Sequence, residues 1–250
     1  MELTTEHYVF HYSKNSTAEL EINEIAALQE GCYSFISSCL HTNAKGKIHY
    51  HFFDTSEEVG SQYAIAHDNN DNEPCNGFAL SETYSKDGLN HIFAVYNDKV
   101  KCVGFHEDAH IISYSLGRPS SQFVREGLAM FFDRYWWGID NYSWTRWYVE
   151  QQKNPSLTAL LDNSKFSEYS DALTYPIAGA FTGYLIERFG TEKYVEFYRC
   201  SAEKEAQAFE QIFGAQISLL ENDFIAYIKM FNVREEIGKL LMKDTEDSPN

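Results

Sequence analysis

The stretch Val103-Gly104-Phe105-His106-Glu107-Asp108-Ala109-His110 contains the pattern H-E-x-x-H, and Glu126 follows within Arg125-Glu126-Gly127-Leu128-Ala129. Residues four apart on an α-helix are rotated by about 40° around its axis, so His106 and His110 project from one face. Two imidazoles so placed can each give a nitrogen to one Zn²⁺ at about 2.0–2.1 Å. Glu107 sits about 100° further round. That is too far for a natural third ligand, and near enough to reach a water on the metal. Two His ligands and a Glu general base on one helix form the arrangement that metalloproteases use.

The pattern needs a helix and a third ligand. A helix is predicted from Asp98, as candidate N-cap, through Ile111, Ile112 and Leu116, with Gly117 as its stop. A metzincin would carry a His six residues after the second ligand and a Gly three residues after it. Those positions hold Leu116 and Ser113, which excludes that arrangement. A His₂Glu site takes a carboxylate from another helix instead. Gly117-Arg118-Pro119-Ser120 reads as a turn, and residues 121–133 read as a second helix after a Ser cap. Glu126 falls in its second turn, where an antiparallel return brings it over the two histidines. Gly127 and Ala129 beside it are small, which permits close helix packing.

His106-Glu107-x-x-His110 followed by Glu126-Gly127-Leu128-Ala129 resembles the gluzincin metallopeptidases, in particular the bacterial peptidase MA-like group. The resemblance implies an α+β fold: a zincin-like N-terminal lobe with a small mixed sheet and the motif helix, then an α-helical lobe. It implies one Zn²⁺ per chain on His106, His110 and Glu126, with an open position for water. Glu107 would be the general base in hydrolysis of a peptide or protein substrate. The expected division is residues 1–117, 118–243 and an acidic tail at 244–250, with the zinc at the junction of the lobes.

Tyr175-Pro176-Ile177-Ala178-Gly179-Ala180-Phe181, continuing through Tyr184-Leu185 to Gly190, also resembles the family. In related aminopeptidases and leukotriene hydrolases a Tyr at the start of the corresponding helix assists catalysis, and Tyr175 takes the matching place. Pro176 at an N1-like position sets Tyr175 at the entry of that helix. In gluzincins an edge strand before the metal helix pairs with extended substrate. Residues 92–96 are the candidate here, with an ordinary interior strand the equal alternative. Aminopeptidase relatives carry a G-x-M-E-N segment, which does not occur between Gly77 and Lys101. Endopeptidase action is therefore favoured. The alternative is a zinc-binding scaffold or pseudoenzyme acting as a binding protein, for which Glu107 would have no use.

A chain of 250 residues that is 44% apolar and 16% aromatic can bury a sizeable core. Its net charge of −17 argues against nucleic acid and anionic membranes as partners. No apolar run approaches the roughly 18 residues of a membrane span. Residues 1–7 show neither a basic n-region nor an apolar h-region, which predicts a cytoplasmic protein, a trimmed exported one being the alternative. Cys32, Cys39, Cys75, Cys102 and Cys200 are odd in number and lack C-x-x-C spacing. They read as reduced, mostly buried thiols, not a Cys-ligated zinc site.

Strands are expected at residues 7–12, 47–54, 78–80 and 91–96. Helices are expected at 16–40, from Ser56, at 157–161 and 175–189, then at 192–200, 203–213 and 217–231, with a polar loop at 68–73. His7 and His11 have helical ligand spacing but lie in strand sequence, some 13 Å apart, and read as surface or core residues. His49 and His51 share one face of a strand and could chelate a metal, but no third partner lies near in sequence. Trp136, Trp137, Trp144 and Trp147 read as cement between the lobes, with a groove for apolar substrate side chains as the alternative.

Overall fold

A computed structural model describes residues 1–68, 72–200 and 205–247 and divides the chain into two units, Met1–Leu116 and Gly117–Asn250. The chain is mixed α/β, with one five-stranded mixed sheet and many helices, in agreement with the α+β expectation at that level. No helix among the described residues is long and apolar enough to cross a membrane.

In the first unit the order is β1 (Glu2–Thr4), β2 (Tyr8–His11), α1 (Thr17–Leu20), α2 (Ile22–Leu40), β3 (Ile48–Phe53), α3 (Ser56–Ala66), β4 (Gly77–Leu80), β5 (Asn90–Val95) and α4 (His106–Ser113). The sheet order is β1-β2-β3-β5-β4, with β2/β3 and β3/β5 parallel and the two outer pairs antiparallel. Parallel neighbours need crossovers, and the helices between β2 and β3 and between β3 and β5 supply them. In α2 the buried stripe Ile22, Ile25, Ala26, Gln29, Cys32, Tyr33 and Ile36 follows the helical repeat. A capping box between Thr55 and Glu58 starts α3. Tyr8, Phe10, Ile48, Tyr50, Phe52 and Ile92 form the buried face of the sheet. The alternate residues, His11, His49, His51 and His91 among them, lie half-buried on the other.

The second unit runs α5 (Gln122–Asp133), β6 (Tyr135–Trp136), β7 (Ile139–Asp140), α6 (Asn141–Glu150), α7 (Leu157–Leu161), α8 (Asn163–Phe166), α9 (Asp171–Phe189), α10 (Thr191–Cys200), α11 (Glu205–Phe213), α12 (Ile217–Ile228) and α13 (Glu236–Asp247). Its centre is α9 against α5 and α6. Trp144 is fully buried and donates from Nε1 to the Trp136 carbonyl at 2.8 Å, and Trp147 is buried too, whereas Trp137 is 44% exposed. Two of the four tryptophans therefore belong to the core of this unit.

Several elements differ from expectation. The metal-motif helix starts at His106, not near Asp98, because Gly104 takes φ +124° and interrupts the chain just before it. The turn falls at residues 114–116 instead of 117–120. Residues 92–96 do not form a sheet edge: β5 lies between β3 and β4, and β4 is outermost. Helix α9 begins at Asp171 behind Ser170, so Tyr175 sits in its second turn and not at its entry. Pro176 removes the N–H that would bond the Ala172 carbonyl, and the Tyr148 hydroxyl donates to that carbonyl at 3.1 Å instead. Residues 244–247, expected as tail, continue α13. Of the cysteines only Cys32 is buried, and Cys200 is exposed. Residues 69–71 of the polar loop, 203–204 of an expected helix and 248–250 of the tail lie outside the described residues.

The α5–α9 contact depends on Gly127. A Cβ there would stand 2.6 Å from Thr182 Oγ1 and 2.9 Å from the Ala178 carbonyl oxygen. Gly127→Ala should lower stability by about 1–3 kcal/mol despite alanine's better helix propensity, because a backbone carbonyl cannot swing aside. A denaturation midpoint equal to or above wild type would show that the two helices are not held this closely.

Candidate metal centre

The first two donors stand on α4, whose start is fixed by a buried amide. Gln29, on α2, accepts from the Gly104 N–H at 2.7 Å through Oε1. Its Nε2 donates to the Gly104 carbonyl at 3.1 Å and to Asp108 Oδ2 at 3.0 Å. The Tyr8 hydroxyl, from β2, donates to the same Oδ2 at 2.5 Å. Asp108 is fully buried, and desolvation holds its carboxyl well above the usual carboxylate range despite these two hydrogen bonds. Burial likewise raises the Tyr8 phenol well above its ordinary value, with Asp108 adding to it. Strand, helix and motif helix thus meet on one carboxyl oxygen.

With the helix so placed, the rings of His106 and His110 have centroids 5.1 Å apart and planes at 80°. His110 is buried and stacks on Tyr114 at 5.9 Å. One nitrogen from each histidine and one carboxylate oxygen of Glu126 all lie within 4.8 Å of one another. Two imidazoles and a carboxylate suit a borderline-soft dication. The three residues expected as ligands are therefore a group that can hold a metal ion.

Glu107 stands between the two histidines in sequence, in the first turn of α4. A Cβ built on Gly77, the first residue of β4, would lie 3.3 Å from Glu107 Oε1, so this carboxylate lies against the outermost strand.

In the second unit, Glu126 stands in the second turn of α5. Ser121 is the N-cap by position, but Asn163 bonds the helix start: its Oδ1 accepts from the Gln122 N–H at 2.7 Å and its Nδ2 donates to the Ser120 carbonyl at 2.9 Å. Arg125 Nη1 donates to the carbonyls of Pro119 and Ser120 at 2.6 and 2.8 Å. Asp171, at the start of α9, has its pKa raised by burial and then by the charge of Glu126. Tyr175 packs its ring near Trp136 and Phe166, with centroids at 5.4 and 6.3 Å.

Gln29, Asp108, Asn163 and Asp171 were not singled out from the sequence. Asp108 carried one usable signal: an acidic residue on the helix side opposite the two histidines, in a stretch otherwise destined for the core. No protein-family model matches the chain, and no curated protein matches it.

Gln29→Leu keeps the volume and removes both polar functions. It should cost about 2–3 kcal/mol, because the Gly104 backbone groups and Asp108 lose partners in a buried place. Metal affinity should fall with it, since the first turn of α4 is no longer pinned. Unaltered stability by urea titration would refute the pinning.

Proposed function

We propose that the protein is a zinc-dependent peptidase of gluzincin type, acting as an endopeptidase on peptide or protein substrates. One observation carries this: donors of His106, His110 and Glu126 gather within 4.8 Å, with Glu107 beside His106 on the same helix. A purely structural zinc normally closes its fourth position with protein and has no need of an adjacent carboxylate.

Bound to these three residues, Zn²⁺ would bring the pKa of water down toward about 7 and polarise a scissile carbonyl. Glu107 takes the proton of the attacking water and later hands it to the departing amine. Its place beside Gly77 suits that task. Peptide backbone can add to an exposed strand as one more strand, and β4 is the outermost strand of its sheet. A substrate added there passes the Glu107 carboxylate. Strand β4 takes over the substrate-binding role that residues 92–96, now interior, cannot fill. Tyr175, by the family resemblance, donates its phenolic hydrogen to the developing oxyanion.

Purified protein should keep close to one tightly held zinc per chain through extensive dialysis, and His110→Ala should lose it. Full retention in both His106→Ala and His110→Ala would remove the site. Glu107→Gln should keep the zinc and lower kcat by about 10²–10⁴ in a peptide-library cleavage assay. Cleavage at the wild-type rate would leave the peptidase function without its base.

Tyr175→Phe separates catalysis from packing. With zinc content and melting temperature unchanged, kcat should fall by about 10²–10³. A loss that merely tracks unfolding would make Tyr175 a core residue.

A further inference from the structure

The half-buried face of the five-stranded sheet carries four histidines in a compact block. Parallel pairing sets His11 beside His51 and His49 beside His91. Their rings lie 4.5 Å (His11–His51), 5.4 Å (His49–His91), 5.3 Å (His11–His49 by ring stacking) and 5.3 Å (His51–His91) apart, centroid to centroid. Within the block the nitrogens meet in pairs. His51 Nε2 is 3.0 Å from His91 Nδ1, and His11 Nε2 is 3.1 Å from His49 Nδ1.

A carboxylate stands near each pair, and only Asp87 is within hydrogen-bond distance. Asp87 Oδ1 and Oδ2 stand 3.0 and 3.1 Å from His91 Nε2, and Glu2 Oε2 stands 3.7 Å from His11 Nδ1. An ionised carboxylate only accepts, so His91 gives its Nε2–H to Asp87, and the neutral ring keeps a lone pair on Nδ1. That lone pair faces His51 Nε2. A carboxylate behind an imidazole, holding its far N–H, is the support that metal-ligating histidines use. The two nitrogens now share a hydrogen bond, and their spacing fits a chelate once both rings turn their lone pairs to one point beside the N–N line: two nitrogens at about 2.0–2.1 Å from one ion, at angles of 90–110°, stand about 2.9–3.4 Å apart.

We propose that this face is a second metal site, in which His51 Nε2 and His91 Nδ1 chelate one divalent transition-metal ion, with Asp87 orienting His91. To accept the ion, His51 shifts its proton from Nε2 to Nδ1, so the ring stays neutral and no net proton is released. Two protein donors leave the other coordination positions to water or an incoming ligand, so the ion exchanges readily. The adjacent His11–His49 pair lacks this support, because Glu2 at 3.7 Å is too far to hold the His11 N–H, and two dications side by side would repel, so the face takes one ion at His51 and His91. Imidazole nitrogen selects Zn²⁺, Ni²⁺ or Cu²⁺ over Mg²⁺ and Ca²⁺. This site is independent of the His106/His110/Glu126 group and of the peptidase function.

Equilibrium dialysis of the full-length chain against Zn²⁺ and Ni²⁺, followed by elemental analysis, tests it. The His106→Ala/His110→Ala variant should still bind one ion per chain, and adding His51→Ala and His91→Ala should abolish that binding. Uptake by the first variant that persists after removal of His51 and His91, or no uptake by the first variant at all, would overturn the site. Circular dichroism melting controls for folding. Should the histidine variants unfold, Asp87→Asn in the exposed loop serves: it should weaken the apparent Kd about 10–100-fold. An unchanged Kd would equally overturn the assignment.

Discussion

One buried carboxamide holds the first unit in the form its chemistry requires. Gln29 spends every hydrogen-bonding group it uses on the segment before and within the metal-motif helix: both backbone groups of Gly104 and the carboxyl of Asp108. Gly104 is in the left-handed region, open to glycine and strained for other residues. The amide locks that conformation, and the helix starts two residues later. The start of a helix sets its rotational phase, and phase decides which way His106, Glu107 and His110 face. Tyr8 adds the sheet to the same junction through Asp108. A buried polar group in this position specifies a geometry more than it stabilises, since any wrong placement leaves donors and acceptors unpaired in a low-dielectric interior.

The sheet is two-faced for a reason that its parallel pairs would not lead one to expect. Parallel strands are usually covered on both sides and read as continuous apolar runs. In β2, β3 and β5 the runs alternate instead: aromatic and aliphatic residues on the side of α2, four histidines together with Val9, Phe53, Phe93 and Val95 on the other. Histidine suits a half-covered surface, because its ring packs flat against a neighbour while its nitrogens remain available. His51 does so on Phe93, with centroids 4.8 Å apart. The in-register parallel ladder then converts a one-strand alternation into a two-dimensional block of imidazoles.

How much of this is legible in the sequence follows from how local each feature is. The H-E-x-x-H face and the α5 helix with Glu126 in its second turn depend on spacing alone, and both were readable. The start of α4 was not, because Gly104 takes its conformation from an amide 75 residues away in sequence. Strands β4 and β5 have the same short alternating pattern, and which of them lies outermost is settled by pairing with β3. Proline at the head of a helix is a sound local rule. It failed at Pro176 because Tyr148, on α6, takes over the orphaned carbonyl and lets the helix begin a turn earlier. The histidine block was half visible: His49 and His51 share a strand face, but His11 and His91 join them only through the ladder.

The relation between Gly77 and Glu107 links the sheet to the chemistry. Gly77 does not have positive φ, so backbone freedom does not explain the glycine. A Cβ would meet Glu107 Oε1 at 3.3 Å, which asks that carboxylate to give by a few tenths of an ångström, and the Phe93 carbonyl oxygen at 3.5 Å, an ordinary contact. The missing side chain lets the carboxylate lie level with the backbone of the outermost strand. About 100° of helix separates Glu107 from His106, too far round for a third ligand and near enough for the carboxylate to reach a water beside one. One helix thus carries the imidazoles on one face and, about 100° further round, a carboxylate beside the edge strand β4. The hydrogen bonds at Gln29 keep those faces from exchanging.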